Sequence, residues 1–402
     1  MNKILLFFIG IFFVTISFAT SYTSAADGNW STVTTWSPMG VPQPGDDVTI
    51  NHNVIMDDAY TVGGYWSIDA GNLTIGANGS LVQGTNVIGI AIQNGGTITN
   101  NGTLSFDQLG NYQGTFTNNG TSNFYVLIYN LDHFENYGVV QEVDSFYTSG
   151  VVNNYTGSSI VSDSIKNDGN FVNSGDLSPN YFYNNGQFVN NSGMICYDFT
   201  NNGTFTNNFA FTVNNDGLNT GTFTNSDTAY IHLTRNFTNA DSVNHDALFI
   251  NNGIFNIGDS WSNMDTTKGT SSGEFHIEEG TYNSGYMKGS FLFCDNTPTV
   301  TVNPIIDYNT GIIEPGITYC LTNNITHIDE NIKFSVYPNP ANSYVNITNI
   351  DGANKIEILD VTGKLIKQII PNQNNYKFDI SDLNEGIYFV KINNLIQKLV
   401  KL

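Results

Sequence analysis

The sequence predicts an all-β protein, in which a parallel β-solenoid with coils of 17–18 residues is followed by a small immunoglobulin-like β-sandwich. Three observations support this fold class. A motif of the form apolar-x-Asn-x-Gly recurs at a nearly fixed spacing through the middle of the chain. Charged residues make up only 12% of the chain, and Gly, Asn, Thr and Phe take their place. Residues 331–402 lose the repeat and instead alternate apolar and polar residues in short segments.

The repeat forms columns of apolar residues, each followed two positions later by an Asn in most copies. The columns are Ile98, Phe116, Phe134 and Val152, then Ile165, Phe182 and Phe199, then Phe171, Phe188, Phe205 and Phe223. Self-similarity at such a period is typical of a solenoid. Within one repeat the motif often recurs after six residues, as from Phe199 to Phe205, so each coil should hold about three short strands.

Stacking of successive coils explains the choice of residues. Phe188, Phe205 and Phe223 should point inward and pack on one another along the axis. Asn190, Asn207 and Asn225 should stack beside them and form a hydrogen-bonded ladder. Where the motif is complete, as at Phe116, Phe182 and Phe199, the Gly four positions after the apolar residue should provide the positive φ that ends the strand. An antiparallel sandwich with similar turns is the competing fold. Recurrence at one period favours the solenoid.

The beginning of the chain predicts a signal peptide over residues 1–25. Lys3 precedes an apolar run from Ile4 to Phe18, which is too short to span a bilayer comfortably. Cleavage is expected after Ala19 or Ala26, and an uncleaved membrane anchor is the alternative. No later segment is long and apolar enough for a membrane helix, so no integral membrane segment is expected after cleavage.

The remaining boundaries follow from composition. Residues 26–60 are rich in Trp and Pro and are expected to cap the solenoid, and they resemble the opening segment of many bacterial surface β-helix proteins. Residues 61–295 form the predicted repeat region. Residues 296–330 are expected to be a linker, and residues 331–402 form the last domain.

The charge of −22 is unevenly distributed. Residues 27–330 contain 29 acidic side chains and four basic ones, whereas residues 331–402 contain eight lysines and six acids. The acidic segment lacks the basic stripes that nucleic-acid binding requires, and it would be repelled by anionic lipid. We therefore expect no nucleic-acid partner.

Three cysteines are present. Cys294 and Cys320 are predicted to form a disulfide, because passage through the periplasm permits one. Cys196 has apolar neighbours and is interpreted as a core residue.

The C-terminal motifs are the most specific feature of the chain. They comprise a Tyr-Pro-Asn-Pro opening, an Asp-to-Lys turn, a Leu-to-Gly turn that enters a strand, and a lysine-bearing last strand. The residues of these motifs are Tyr337, Pro338, Asn339, Pro340, Asp360, Gly363, Lys364, Leu383, Gly386, Tyr388, Lys398 and Lys401. We expect positive φ at Gly363 and Gly386, and exposed side chains at Lys398 and Lys401.

This set of motifs resembles the type A C-terminal sorting domain of type IX secretion cargo. The resemblance implies that the motif residues form the sorting signal. The resemblance implies export through the periplasm, recognition by the outer-membrane translocon and removal of the domain by a sortase-like peptidase. It also implies a protein at the cell surface or outside the cell. An ordinary immunoglobulin-like binding module is the alternative interpretation of the same strands.

The residues predict no catalytic group, no metal site and no cofactor. The acid pairs Asp46-Asp47, Asp57-Asp58 and Glu278-Glu279 are consecutive, so their side chains should point to opposite sides of a strand. The six histidines lack metal-binding spacing. Lys268 and Lys288 are separated by about one coil. We favour a structural or adhesive module that contacts extracellular glycans through Tyr, Asn and Thr. The alternative is a polysaccharide lyase or hydrolase with a site built from dispersed residues.

Overall fold

The computed structural model describes residues 19–57, 64–85, 87–241, 243–320, 334–348, 350, 355–360, 363–371, 375–392 and 395–402. The predicted signal peptide lies largely outside the described residues. The chain divides into two compact units, Met1–Leu321 and Thr322–Leu402.

The first unit is a parallel β-solenoid with three faces, which we call A, B and C in the order in which each coil visits them. Within the described residues, the strands of face A form one sheet of sixteen. They are Ser21–Ser24, Trp36–Ser37, Asp47–Ile50, Asn72–Ile75, Gly96–Asn100, Gly114–Asn118, His133–Asn136, Val151–Asn154, Asn170–Asn173, Gln187–Asn190, Thr204–Asn207, Thr222–Asn225, Leu248–Asn251, Thr266–Gly269, Tyr286–Gly289 and Ile312–Ile313.

Faces B and C follow in each coil. In five coils one bent strand runs through both faces: Thr103–Asn111, Thr121–Asn130, Val139–Thr148, Ser159–Asn167 and Asp176–Asn184. The other strands of face B are Gly28–Asn29, Asn53–Met56, Ser80–Gln83, Gly193–Cys196, Ala210–Val213, Tyr230–Leu233, Ile254–Ile257, Glu274–Ile277, Leu292–Asp295 and Thr318–Tyr319. Those of face C are Tyr65–Asp69, Gly89–Gln93, Asp198–Asn201, Gly217–Asn219, Phe237–Asn239, Trp261–Asn263, Thr281–Asn283 and Tyr308–Asn309.

The predicted columns of Phe form the core. Phe188, Phe205 and Phe223 are in register on face A and are all buried. The ring centroids of each adjacent pair are 4.8 Å apart. The Ile165–Phe182–Phe199 column lies on face C, in register as predicted. Since one Phe per coil faces inward at the same place, every coil covers the apolar surface of the previous one.

Buried asparagines form two hydrogen-bonded ladders along the corners that end faces A and C. The predicted ladder of Asn190, Asn207 and Asn225 is confirmed, with Nδ2-to-Oδ1 distances of 2.9 and 3.0 Å. It is part of a longer ladder that runs from Asn100 to Asn251. The ladder at the end of face C runs from Asn167 to Asn309. Because the amides also donate to corner carbonyls, they satisfy backbone groups that leave the strands.

The glycines of the motif have a different role from the predicted one. Gly102, Gly120, Gly186 and Gly203 do not take positive φ. A Cβ atom at Gly203 would lie 2.1 Å from the carbonyl oxygen of Gly186 in the coil before it. The expectation of a left-handed turn is therefore wrong at these positions. Glycine is needed there because the backbones of stacked corners approach too closely for a side chain.

We predict that Gly203→Ala lowers the free energy of unfolding by about 1–3 kcal/mol, because the added methyl overpacks the corner. Gly193→Ala is the matched control, since a Cβ at Gly193 would meet no heavy atom within 4 Å. This control should be neutral or slightly stabilising. Chemical denaturation of both variants tests the close-approach explanation, which fails if the two changes have the same effect.

The N-terminal end of the solenoid is covered by tryptophans. Trp30 and Trp36 are buried, with ring centroids 4.8 Å apart, and Trp30 also packs on Trp66 at 4.5 Å. The first strand, Ser21–Ser24, pairs in parallel with Asp47–Ile50 and in antiparallel with Trp36–Ser37. The stack therefore begins before the predicted cap. Cleavage after Ala19 would preserve this strand, whereas cleavage after Ala26 would remove it.

At the other end, the solenoid continues beyond the predicted boundary at residue 295. Tyr308–Asn309, Ile312–Ile313 and Thr318–Tyr319 pair in parallel with the coil before them. Asn283 Nδ2 donates to Asn309 Oδ1 at 2.7 Å, so the ladder also extends here. The structure thus differs from the predicted linker over residues 296–320. The last coil does not repeat the motif, so no period in the sequence indicates it.

Cys294 and Cys320 form a disulfide in the structure, with their Cα atoms 4.9 Å apart. The bond joins the residue after the last strand of face B to the strand of face B in the coil before it. Cys196 is free and buried, and burial raises the pKa of its thiol.

We predict that the exported protein carries this disulfide, which would stabilise the last coil by about 3–4 kcal/mol in the chain-entropy model. Alkylation of denatured, unreduced protein should label only the free Cys196. After reduction, Cys294 and Cys320 should be labelled as well. Mass spectrometry that finds all three thiols labelled without reduction would exclude the bond.

The described residues of the second unit form two antiparallel sheets, consistent with the predicted small β-sandwich. One sheet has the order Ser335–Tyr337, Tyr344–Thr348 and Asn375–Asp379. The other has the order Leu365–Ile369, Ile356–Leu359, Gly386–Ile392 and Leu395–Lys401. Alternating apolar residues such as Val345, Ile347, Ile356 and Ile358 supply its own buried core.

Candidate functional site

The motif that opens the second unit lies against the last strand of the chain. Asn339 Nδ2 donates to the carbonyl oxygen of Lys398 at 2.7 Å, and its Oδ1 accepts from the backbone N–H of Val400 at 2.8 Å. Ala341 pairs with the same strand: its N–H donates to Val400, and its carbonyl accepts from Leu402. Two of the predicted signal segments, which are far apart in sequence, therefore form one surface.

The two turn glycines have the expected backbone. Gly363 has a φ of 79°, and its N–H donates to the carbonyl oxygen of Asp360 at 3.0 Å. The N–H of Lys364 donates to Asp360 Oδ1, also at 3.0 Å. Gly386 has a φ of 152° and pairs with Lys401 on the last strand. A second predicted signal segment thus meets the terminal strand.

The other predicted signal residues divide between core and surface. Leu383 is buried, and Tyr388 packs on the core while its hydroxyl donates to a backbone carbonyl at 3.0 Å. Tyr337 is 51% exposed. Lys398 is exposed as expected, whereas Lys401 is only partly exposed.

On the solenoid, a row of tyrosines lies on the outer surface of face C. Tyr129, Tyr147, Lys166 and Tyr183 are register neighbours on four successive coils. The rings of Tyr129 and Tyr147 are stacked, with centroids 5.0 Å apart. Tyr181, two residues before Tyr183 on the same strand, is 38% exposed, and Tyr183 is 41% exposed. We call Tyr129, Tyr147, Tyr181 and Tyr183 the tyrosine patch.

Acidic groups lie beside this patch. Lys166 Nζ is 5.2 Å from the ring centroid of Tyr147 and 3.1 Å from Asp168 Oδ2. Burial opposes ionisation of Asp168, but hydrogen bonds from Asn185 and Lys166 outweigh it and lower the pKa of Asp168. Hydrogen bonding to Asp168 raises the pKa of Tyr147. Asp198 lies on the next coil, in register with a patch tyrosine. These shifts keep Tyr147 neutral beside an ionised Asp168 at neutral pH.

Sequence reasoning missed the tyrosine patch, although a signal was present. Its column recurs at steps of 18, 19 and 17 residues, much as the Phe columns do. Lys166 takes the place of an aromatic residue in this column, so the column is not aromatic throughout. From the sequence alone, a Lys at this position does not show whether the column points inward or outward. Only the coil register places Lys166 between Tyr147 and Tyr183.

The carboxylates of the acid pairs accept hydrogen bonds from neighbouring segments of the solenoid. In each pair at least one described carboxylate accepts a hydrogen bond from a residue outside the pair. The bonds are Thr20 N to Asp46 at 2.8 Å, Ser31 N to Asp57 at 3.0 Å and Asn296 Nδ2 to Glu278 at 2.6 Å. Asp58 lies outside the described residues.

A further carboxylate pair closes the last coil. Thr281 Oγ1 donates to Asp295 Oδ2 at 2.7 Å and accepts from the N–H of Asp307 at 2.9 Å. Burial raises the pKa of Asp295. Burial also opposes ionisation of Asp307, but hydrogen bonds led by the Thr299 hydroxyl lower its pKa. Donors of the coil itself occupy these oxygens, so we assign the pair to closure of this end.

Lys268 and Lys288 lie on adjacent coils of face A, in register, as their spacing suggested. Across the ranges given above for the structure, no three or more His, Cys, Asp or Glu side chains are grouped so that they could hold a metal ion. In the same ranges, no helix has the length and apolar character needed to cross a membrane.

Comparison with known proteins identifies the second unit. Residues 335–402 match the family model for the secretion system C-terminal sorting domain. A type IX sorting domain marks its chain as cargo for export to the cell surface or the extracellular space, as the C-terminal motifs predicted. No curated protein and no solved structure has significant similarity to the chain.

Proposed function

We propose that the protein is an exported, non-catalytic adhesive module whose solenoid binds extracellular glycans through the tyrosine patch. The observation that carries this proposal is the exposed tyrosine row on a rigid face. Tyrosine offers an apolar ring for stacking on a sugar and a hydroxyl for hydrogen bonding. The ladders and the Phe core hold the backbone of face C in place, so little backbone conformational entropy is lost on binding.

Export proceeds through the sorting domain in this proposal. The outer-membrane translocon recognises the folded domain, and a sortase-like peptidase then removes it. The surface formed by Asn339 and the last strand is a suitable recognition element, because it joins the two ends of the domain. Lys398 is exposed on that strand and can contact a partner without loss of the core.

A glycan array probed with the full chain tests the adhesive part. We expect binding to a subset of polysaccharides, and Tyr181→Ala/Tyr183→Ala should abolish most of it, since stacking on an aromatic side chain contributes about 1 kcal/mol or more per ring. Tyr230→Ala is the matched control, because Tyr230 is 39% exposed but lies on face B. Equal binding by the double variant would refute the patch as the glycan site.

The alternative function, a polysaccharide lyase or hydrolase, is tested by measuring cleavage of the glycan. Any glycan that binds is incubated with the protein, and products are followed by reducing-end and unsaturated-uronate assays. The proposed function predicts no change in chain length of the glycan. Cleavage that survives purification to homogeneity would favour a lyase or hydrolase.

A further inference from the structure

The tyrosine patch already binds one ammonium group, which belongs to the chain itself. Lys166 Nζ lies over the ring of Tyr147 and bonds to Asp168, while half of the Lys166 side chain remains exposed. A cation over an aromatic face and beside a carboxylate is a favourable arrangement. The contacts of Lys166 show that the patch has the geometry for an external amine.

The charge around the patch favours the same ligand. Residues 27–330 carry only four basic side chains against 29 acids, and Lys166 is one of those four. Asp168 lies on one side of the tyrosine column and Asp198 on the other. A surface of this charge attracts polycations and repels uronates and sulfated sugars.

We propose that the tyrosine patch binds an amine-bearing polysaccharide, that is, a polymer of hexosamine units whose amino groups are free and protonated. Its sugar rings contact Tyr181 and Tyr183, and its ammonium groups pair with Asp168 and Asp198. Lys166 competes with the ligand for Tyr147 and Asp168. This inference rests on the proposed function and specifies the class of glycan.

A polysaccharide fits the patch better than the other polycations or a second copy of the chain. Exposed phenol rings lie between carboxylates on face C, which suits a polymer with an apolar ring and an amine in every unit. A basic peptide would use the carboxylates but has no need of the rings. A second copy carries the same strong negative charge and would be repelled.

Titration calorimetry of the full chain with three probes tests the inference. The probes are an oligomer of β-linked glucosamine, its fully N-acetylated form and an oligogalacturonate. We expect binding of the glucosamine oligomer, weakened by added salt, with at least tenfold weaker binding of the acetylated form and none of the uronate. Polylysine of equal charge should bind without sensitivity to Tyr183→Ala.

Two variants distinguish recognition from general attraction. Lys166→Gln should strengthen binding of the glucosamine oligomer by about threefold to fivefold, because it vacates the ring and the carboxylate. Asp168→Asn should weaken binding of the glucosamine oligomer by a similar factor. Asp227→Asn is the matched control, because Asp227 lies away from the patch on the turn between faces A and B, and it should change this binding little. Thermal unfolding of each variant confirms that the fold is intact.

The outcomes separate the two proposals. Equal affinity for the acetylated oligomer, or weaker binding after Lys166→Gln, overturns the amine assignment while glycan binding at the patch stands. Polylysine binding that depends on Tyr183 would assign the patch to basic peptides. Absence of binding to every glycan of the array would refute both the amine assignment and the proposed function.

Discussion

Replacing Phe205 by Ala should lower the free energy of unfolding of the solenoid by about 3–5 kcal/mol. Phe205 is fully buried, and its ring contacts Phe188, Phe211 and Phe223 at centroid distances of 4.8, 5.1 and 4.8 Å. The loss is large because coils above and below are held by strand pairing and cannot collapse into the cavity.

Phe209→Ala is the matched control for this prediction. Phe209 lies in the same coil as Phe205 but is 58% exposed, so its truncation should change stability by no more than about 0.5 kcal/mol. Denaturant titrations followed by far-UV circular dichroism compare the two variants. Similar destabilisation by both would show that the inward and outward positions of this coil are assigned incorrectly.

Replacing Asn207 by Ala should destabilise the solenoid by a comparable amount, about 3–5 kcal/mol. Asn207 Nδ2 donates to Asn225 Oδ1 at 3.0 Å and to the carbonyl oxygen of Tyr230 at 3.2 Å. Its Oδ1 accepts from Asn190 Nδ2 at 2.9 Å. Truncation leaves several of these buried groups without a partner, and each such group costs about 1–3 kcal/mol.

The neighbouring Asn208 provides the control. Its side chain belongs to a row on the outer surface, where Nδ2 donates to Asn191 Oδ1 at 2.8 Å. Water can replace that bond, so Asn208→Ala should change the free energy of unfolding by no more than about 0.5 kcal/mol. Equal effects of Asn207→Ala and Asn208→Ala would mean that the buried ladder contributes no more to stability than the exposed row.

The solenoid core could be predicted because the residues that form it recur in the sequence once per coil. Phe188, Phe205 and Phe223 each occupy one inward position per coil, and Asn190, Asn207 and Asn225 each occupy one corner. A single period therefore reveals both the fold and the register. The extension to residue 320 could not be predicted in this way, because Ile312–Ile313 and Thr318–Tyr319 occur in one irregular coil.

The role of the glycines required the structure. A Gly at the end of a strand fits a left-handed turn and a close backbone contact equally well. At Gly203 the deciding fact is the carbonyl of Gly186 in the previous coil, which is a neighbour in space and not in sequence. At Gly363 the turn is local, and its positive φ could be anticipated from the sequence.

In the sorting domain, too, local features could be predicted and long-range contacts could not. Each motif was recognisable from the sequence, but the contact between the opening motif and the last strand was not. Asn339 reaches the last strand through hydrogen bonds to residues about sixty positions away. Likewise, the tyrosine patch depends on which side chains of face C point outward. Such long-range placement follows from the register of the coils and of the sheets, which no single motif contains.

We expect residues 335–402 to direct the export of a solenoid that folds by itself. The most direct test is the distribution of a variant lacking residues 331–402 between periplasm, cell surface and medium, measured by immunoblotting of fractions. We expect a protease-resistant solenoid that remains in the periplasm. A fluorescent protein fused ahead of residues 322–402 behind a signal peptide should, in contrast, leave the cell. Appearance of the truncated protein outside the cell at the level of the full chain would contradict the account.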